Sequence, residues 1–239
     1  MIKAILFDLD GTLLPMDQDV FLKAYLGSLV RELVPRGYEQ RGLVDAVWRG
    51  TGAMVTNNGE MTNEDRWWQT FCSIYGEDAR KEEEPLRWFY ESRFDEVRLS
   101  CGYTPRAKAT IELCKARGLR TILATNPVFP AVATKARIRW AGLDWSDFEL
   151  VTTYENARYC KPNVNYYREI LDKIGLSGEE CVMVGNDVSD DMVAGELGIK
   201  LFLLTDNLIN KNGVDIDAFE HGSYDDLDAF ISNLNKESV

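Results

Sequence analysis

An α/β fold built on a doubly wound parallel sheet, interrupted by an inserted helical module, is the class this sequence predicts. Three observations lead there. Ile5-Leu6-Phe7 is a short apolar run ending in Asp8 and Asp10, the pattern of a buried strand that stops at a polar turn. Between Pro15 and about Arg98 strand signals vanish and apolar residues recur at helical spacing. From Pro105 onward helical and strand segments alternate, which is the signature of a parallel sheet covered by helices.

In the first strand, residues two apart share a face, so Asp8 and Asp10 are placed to converge just beyond it, and Gly11 permits the sharp turn that follows. The helical stretch divides into four. Val20, Phe21, Ala24, Leu29, Val30 and Leu33 mark one helix that ends at Pro35-Arg36-Gly37. Leu43, Val44, Val47 and Trp48 mark a second, with Thr51 to Met61 reading as loop. Thr62 with Asp65 resembles a capping box before the Trp67-Trp68-Phe71-Tyr75 face, and Glu82-Glu83-Glu84 suits the start of a fourth helix over Leu86 to Tyr90.

Helices are then expected near 105–117, 130–141, after Asn163 to Gly175, and through Met192 to Gly198. Strands are expected at Arg120–Ala124, Glu149–Thr153, Cys181–Val184 and Lys200–Leu204. A last helix is expected over Leu227 to Leu234 in a polar tail, with His221 at the surface. The domain reading is 1–14 with 101–239 as core and 15–100 as the inserted module.

The chain has 239 residues, enough for a core and a second module, and its composition is 45% hydrophobic with six Trp and ten Phe. A formal charge of −12 argues against nucleic acid and anionic membrane surfaces as partners. Five scattered cysteines with no Cys-x-x-Cys pair fit a reducing cytosol, so a cytoplasmic location is expected. A single histidine gives poor support to Ser-His or Cys-His catalysis. No segment reaches the roughly 20 apolar residues of a membrane span.

Polar residues recur where the expected strands stop: Asp8 and Asp10, then Thr125 and Asn126, then Asp187, with Asp191 four residues further along and expected on the same helix face. Lys161 precedes Pro162, which fits a helix opening after it. Two adjacent carboxylates repel one another and favour a hard cation such as Mg2+ between them. Together these groups fit phosphoryl transfer through Mg2+ and a carboxylate nucleophile.

Asp8-Leu9-Asp10-Gly11-Thr12, Thr125-Asn126, Lys161-Pro162 and Val184-Gly185-Asn186-Asp187-Val188-Ser189-Asp190-Asp191 resemble, in order, the four motifs of the haloacid dehalogenase-like (HAD) hydrolase superfamily, and the helical stretch is similar to the helical-bundle cap of one of its subfamilies. The resemblance implies a Rossmann-like core and a Mg2+-dependent phosphatase acting on a small phosphorylated metabolite. It implies that Asp8 is the nucleophile that forms an aspartyl-phosphate and Asp10 the general acid and then base. Thr125 and Asn126 would hold phosphoryl oxygens, and Lys161 would offset the charge there. Asp8, the Asp10 carbonyl and Asp187 would ligate Mg2+, with Asp191, Asn186 and Thr12 in supporting positions. Asn186 departs from the pattern, which usually has Gly before the fourth-motif Asp. Asp187 is aligned in preference to Asp190, which is read as a solvated acid. Asp10 with Asp187 disfavours a dehalogenase. A phosphomutase shares every core residue, and a non-catalytic phospho-ligand or partner-binding protein on the same scaffold is the reading from another class. Substrate identity and the choice between monomer and homodimer stay open.

Overall fold

A computed structural model describes residues 1–236. Its centre is a six-stranded, wholly parallel sheet: β1 (Ala4–Phe7), β2 (Arg120–Leu123), β3 (Leu150–Val151), β4 (Cys181–Gly185), β5 (Lys200–Leu204) and β6 (His221–Gly222), in the spatial order β3-β2-β1-β4-β5-β6. The order reverses between β1 and β4, and in open α/β sheets the crevice beyond the carboxyl ends at such a reversal is where ligands bind. Phe7 lies level with Leu123 of β2 and Val184 of β4, so three strands end side by side. The backbone continues the register past them: Asp8 N donates to Val184 O at 2.9 Å and Ala124 N to Phe7 O at 2.7 Å.

Every residue of β1 is fully buried, as expected for a strand covered on both faces. Alternation divides them. Ile5 and Phe7 pack with Ile111, Leu123 and Val184 on one side, whereas Ala4 and Leu6 pack with Tyr166, Ile170 and Ile174 on the other. The helices that cover the sheet are α5 (Pro105–Ala116), α6 (Ala131–Trp140), α7 (Val164–Ile174) and α8 (Tyr224–Asn233).

Between β1 and α5 stand the four expected helices, α1 (Gln18–Leu33), α2 (Gln40–Val55), α3 (Asn63–Tyr75) and α4 (Glu83–Ser92). Thr62 caps α3, accepting from Asp65 N, and Asp17 caps α1. Their aromatic faces join the apolar layer of the sheet in one continuous cluster, running from Phe21, Phe71, Phe89 and Phe94 to Phe129 and Trp140. The chain leaves and re-enters the sheet layer at a narrow neck, where Gly102 N donates to Pro15 O at 2.7 Å and Met16 bridges Cys101.

Three local expectations need correction. Helix α2 runs on to Val55, taking in Thr51 and Gly52 that read as loop; Thr51 Oγ1 donates to Val47 O inside the helix, and tertiary packing outweighs the propensity cost of glycine. The segment Met192–Leu197 is a 3-10 helix, so Asp187 and Asp191 meet across turns preceding it and not on a helix face. The third strand is only Leu150–Val151. His221, exposed as expected, also belongs to the edge strand β6.

Candidate active site

The turn after β1 is tight. Thr12 N and Leu14 N both donate to Leu9 O, and Gly11 N donates to Leu14 O. Gly11 takes φ +91°, and a Cβ there would stand 2.3 Å from Asn186 Nδ2. Only glycine allows both the backbone angle and this approach. The turn therefore brings Thr12 to Asp8, its hydroxyl 3.2 Å from Asp8 Oδ2 and 2.9 Å from Asn186 Oδ1. At its other end the Asn186 amide nitrogen donates to Asn207 O at 2.7 Å, so this side chain pins the β1 and β4 turns together.

Asp8 keeps the parity of Ala4 and Leu6 and so emerges on the α7 side of the sheet. There it meets Lys161, from the loop that leads into α7. The ammonium is fully buried, 2.7 Å from Asp8 Oδ1 and 2.6 Å from Asp191 Oδ1. Burial disfavours that charge, but Asp191 and Asp8 more than offset it and hold Lys161 well above the ordinary lysine range. Burial likewise raises Asp191, against the pull of Lys161. The second oxygen of Asp191 accepts from Asp187 N at 3.0 Å, fixing the β4 turn. Asp187 Oδ1 in turn accepts from Ser189 N and Asp190 N.

From β2, Thr125 is buried and its hydroxyl has no hydrogen-bond partner among the described residues. Its carbonyl is held by Tyr166 Oη at 2.9 Å and Thr152 Oγ1 at 2.7 Å. Asn126 Oδ1 accepts from Lys161 N at 3.3 Å, while its amide nitrogen stands 3.5 Å from Asp190 Oδ2. Asp190 thus belongs to the site: it is half-buried, burial raises its carboxyl above the usual range, and Tyr167 Oη donates to its carbonyl at 2.8 Å. The solvated role expected for it fails because the turn folds inward over α7.

Asp8, Asp10, Asn126, Lys161, Asn186, Asp187, Asp190 and Asp191 line one cavity of about 200 Å³, closed on the helical side by Met16, Gln18, Phe21 and Leu22. Beside it lies a larger cavity of about 360 Å³ with aromatic walls that include Tyr25, Trp67, Trp68 and Tyr90; Leu22, Val128 and Phe129 line both. Arg49 and Lys23 are exposed and line neither, and half-buried Arg66 is engaged with Gln69 and Asn58.

One charged residue of the site escaped the sequence reading. Arg137 on α6 is fully buried and forms an ion pair with Asp10 Oδ2. Its spacing from Ala133 and Trp140 puts it on the buried face of α6, and a cation at a core position was the available signal. Burial pushes the Asp10 carboxyl up, and Arg137 opposes it.

The donors suit a hard cation. Five carboxylates line the cavity against the single ammonium of Lys161, and all the available donors there are oxygens. Among the described residues no three or more His, Cys, Asp or Glu side chains cluster as a ready-made metal cage. Mg2+ is usually held by one or two carboxylates together with water and substrate phosphate and not by an all-protein cage, so the carboxylates of this cavity fit it.

A haloacid dehalogenase-like hydrolase family model matches residues 2–198. Glyceraldehyde 3-phosphate phosphatase of Methanothermobacter thermautotrophicus is 24% identical over 231 residues, covering 90% of this chain and 94% of the relative. The crystal structure of a HAD phosphatase from Thermococcus onnurineus superposes with TM-score 0.58 at 20% identity, covering 96% of this chain and 98% of that one. The magnesium-bound HAD-hydrolase YfnB of Bacillus subtilis does so with TM-score 0.54 at 17% identity, covering 96% and 98%. With the four motifs meeting beyond the carboxyl ends of the central strands and the family match spanning nearly the whole chain, this protein belongs to the haloacid dehalogenase-like hydrolases.

Proposed function

We propose that the protein is a Mg2+-dependent phosphatase that hydrolyses a phosphomonoester through an aspartyl-phosphate on Asp8. The observation that carries this reading is the buried Lys161 ammonium shared by Asp8 and Asp191 at the floor of an acidic cavity. So costly an arrangement suits an oxyanion-handling site better than a structural core. The phosphatase names of the relatives point the same way.

Asp8 attacks phosphorus with a carboxylate oxygen, already oriented by Thr12 and Lys161. Asp10 gives its proton to the departing ester oxygen, then takes one from the water that attacks the acyl phosphate. The unpartnered Thr125 hydroxyl and Asn126 hold phosphoryl oxygens. Lys161 neutralises charge on the transferring group, and Asp191 keeps the ammonium in place. Mg2+ would be held by Asp8, the Asp10 carbonyl and Asp187, and when bound it offsets phosphate charge and orients the group for in-line attack.

The helical insertion acts as a cap over this site, and the aromatic cavity beside it receives the alcohol portion of the ester. Its aromatic wall favours an alcohol with an apolar or aromatic face, while Glu64, Glu83, Glu155 and Arg87 give the rest of the lining a polar character. The five cysteines are all free, in keeping with a cytoplasmic enzyme, and no described helix is long and apolar enough to cross a membrane.

The test is steady-state hydrolysis of p-nitrophenyl phosphate with and without Mg2+, for wild type and Asp8→Asn. Mg2+-dependent turnover that the substitution abolishes is the expected result. Folded wild type that turns over no ester with Mg2+ present would overturn the reading.

A further inference from the structure

Arg137 is the most deeply buried cation that the four motifs leave unexplained. Its guanidinium has three neighbours: Asp10 Oδ2 in an ion pair, Thr134 Oγ1 at 3.3 Å, and the face of Phe129, whose ring centroid lies 4.5 Å from the guanidinium carbon. Asp10 is its only carboxylate partner among the described residues. Such a group is expensive to bury, and packing alone would be served as well by an apolar side chain.

The two oxygens of Asp10 are treated differently. Oδ2 is taken by Arg137, whereas Oδ1 is buried with no hydrogen-bond partner among the described residues. A planar guanidinium seated on a ring and tied to a hydroxyl has little freedom, so a carboxylate bonded to it has little freedom either. Phe129 and Asp10 both line the reaction cavity, which puts this clamp in its wall.

We propose that Arg137 is the positioning residue for Asp10: by holding Oδ2 it turns Oδ1 toward the ester oxygen that leaves phosphorus. This rests on the phosphatase reading and deepens it. In the first transfer an Asp8 oxygen bonds to phosphorus as the bond to the ester oxygen breaks. The electron pair left on that oxygen takes the proton from Asp10 Oδ1, and the alcohol departs. In the second, Oδ1 takes a proton from water as the water oxygen bonds to phosphorus. The bond to Asp8 breaks, and inorganic phosphate and the Asp8 carboxylate are restored. Arg137 touches neither substrate nor water and acts through Asp10 alone.

The distinguishing measurement compares leaving groups. A p-nitrophenolate leaves with little help from an acid, whereas an alkoxide needs its proton. Wild type, Arg137→Lys and Arg137→Met are assayed with Mg2+ on p-nitrophenyl phosphate and phenethyl phosphate, reading kcat/KM, which reports the first transfer. General acid catalysis contributes about 10²–10⁴-fold. Arg137→Met is therefore expected to lose on the order of 100-fold on the alkyl ester and under about tenfold on the aryl ester. Arg137→Lys, which keeps the charge but not the fork, is expected to show the same asymmetry at about a tenth of the size, and it carries the test if the Met variant does not fold. In an Asp10→Asn background the Arg137 substitutions should add nothing on either ester.

Equal losses on the two esters, or a further loss in the Asp10→Asn background, would mean that Arg137 supports the fold alone, and would overturn the assignment while leaving the phosphatase reading standing. Wild type inert toward both esters would overturn that reading and this assignment with it.

Discussion

Lys161 Nζ lies 2.6 Å from Asp191 Oδ1, and both side chains are essentially sealed from solvent. The same ammonium serves Asp8, so its removal strands two buried carboxylates at once. Lys161→Met is expected to cost about 3–5 kcal/mol of stability, the usual penalty for breaking a buried pair from one side. Asp191 is already raised by burial, and without the ammonium it rises further. An acid whose folded value lies above its unfolded one loses stability as pH climbs from the unfolded value, about 3.9, toward the folded one. The deficit of the variant should therefore be smaller at pH 5 than at pH 8, as urea unfolding at the two pH values would show. In wild type the Lys161 contribution is fully present below the ordinary lysine range and is lost only as pH rises toward its elevated value.

Metal binding is checked without reference to turnover. A ligand that binds only the folded state stabilises it by about 2.7 kcal/mol at a hundred times its Kd. Saturating Mg2+ should raise the Tm of wild type by several degrees, with EDTA reversing the shift. Asp187→Ala should unfold at the same temperature with and without Mg2+. An equal Mg2+ shift in the two proteins would remove Asp187 from the ligand set.

The turn after β1 gives a steric prediction. Gly11→Ala places a methyl 2.3 Å from Asn186 Nδ2 in a backbone conformation that alanine resists, so the Asn186 amide must leave Thr12. Overpacking of this kind costs about 1–3 kcal/mol, and the loss of Thr12 geometry should lower kcat on p-nitrophenyl phosphate as well. Adding Asn186→Ala to Gly11→Ala should recover part of the stability, measured by thermal denaturation, because it removes the clashing group.

The aromatic cavity predicts a change of selectivity. Trp67 stacks on Phe71 with ring centroids 4.8 Å apart and lines the cavity wall. Trp67→Ala should lower kcat/KM for naphthyl phosphate about three- to tenfold, the scale of one lost aromatic contact, and leave methyl phosphate nearly unaffected. Equal effects on the two esters would show that the alcohol portion lies elsewhere.

What the sequence made legible were groups whose position follows from a strand end. Asp8, Thr125 and Asp187 each stand just past a buried apolar run, and parallel strands of matched register must bring such residues together. Lys161 was legible through the proline that follows it. Arg137 and Asp190 were not, because each depends on which way a segment folds after the strand has ended. Arg137 shares a helical face with Ala133 and Trp140, but between Lys135 and Arg139 that signal is weak and a third cation reads as solvated. Asp190 reads as a helix-start acid because Met192, Val193 and Leu197 mimic an α-helical period, whereas the short turn is 3-10 and carries Asp190 inward. Asn186 interrupted the motif without disturbing it, since the Gly11 turn leaves room for an amide.

The neck at Pro15 and Gly102 has a consequence for how such a protein can change over generations. A Cβ on Gly102 would come within 3.1 Å of Pro15 Cβ and 3.3 Å of its carbonyl oxygen, so the outgoing and returning chains lie in direct contact. In topological terms everything from α1 to α4 is one long excursion closed at its base, and no sheet strand passes through it. A change of helix length within that excursion leaves the strand order as it is, provided the aromatic cluster that the helices share with the sheet layer is kept. An insertion or deletion between α1 and α4 therefore need not shift the register of any strand.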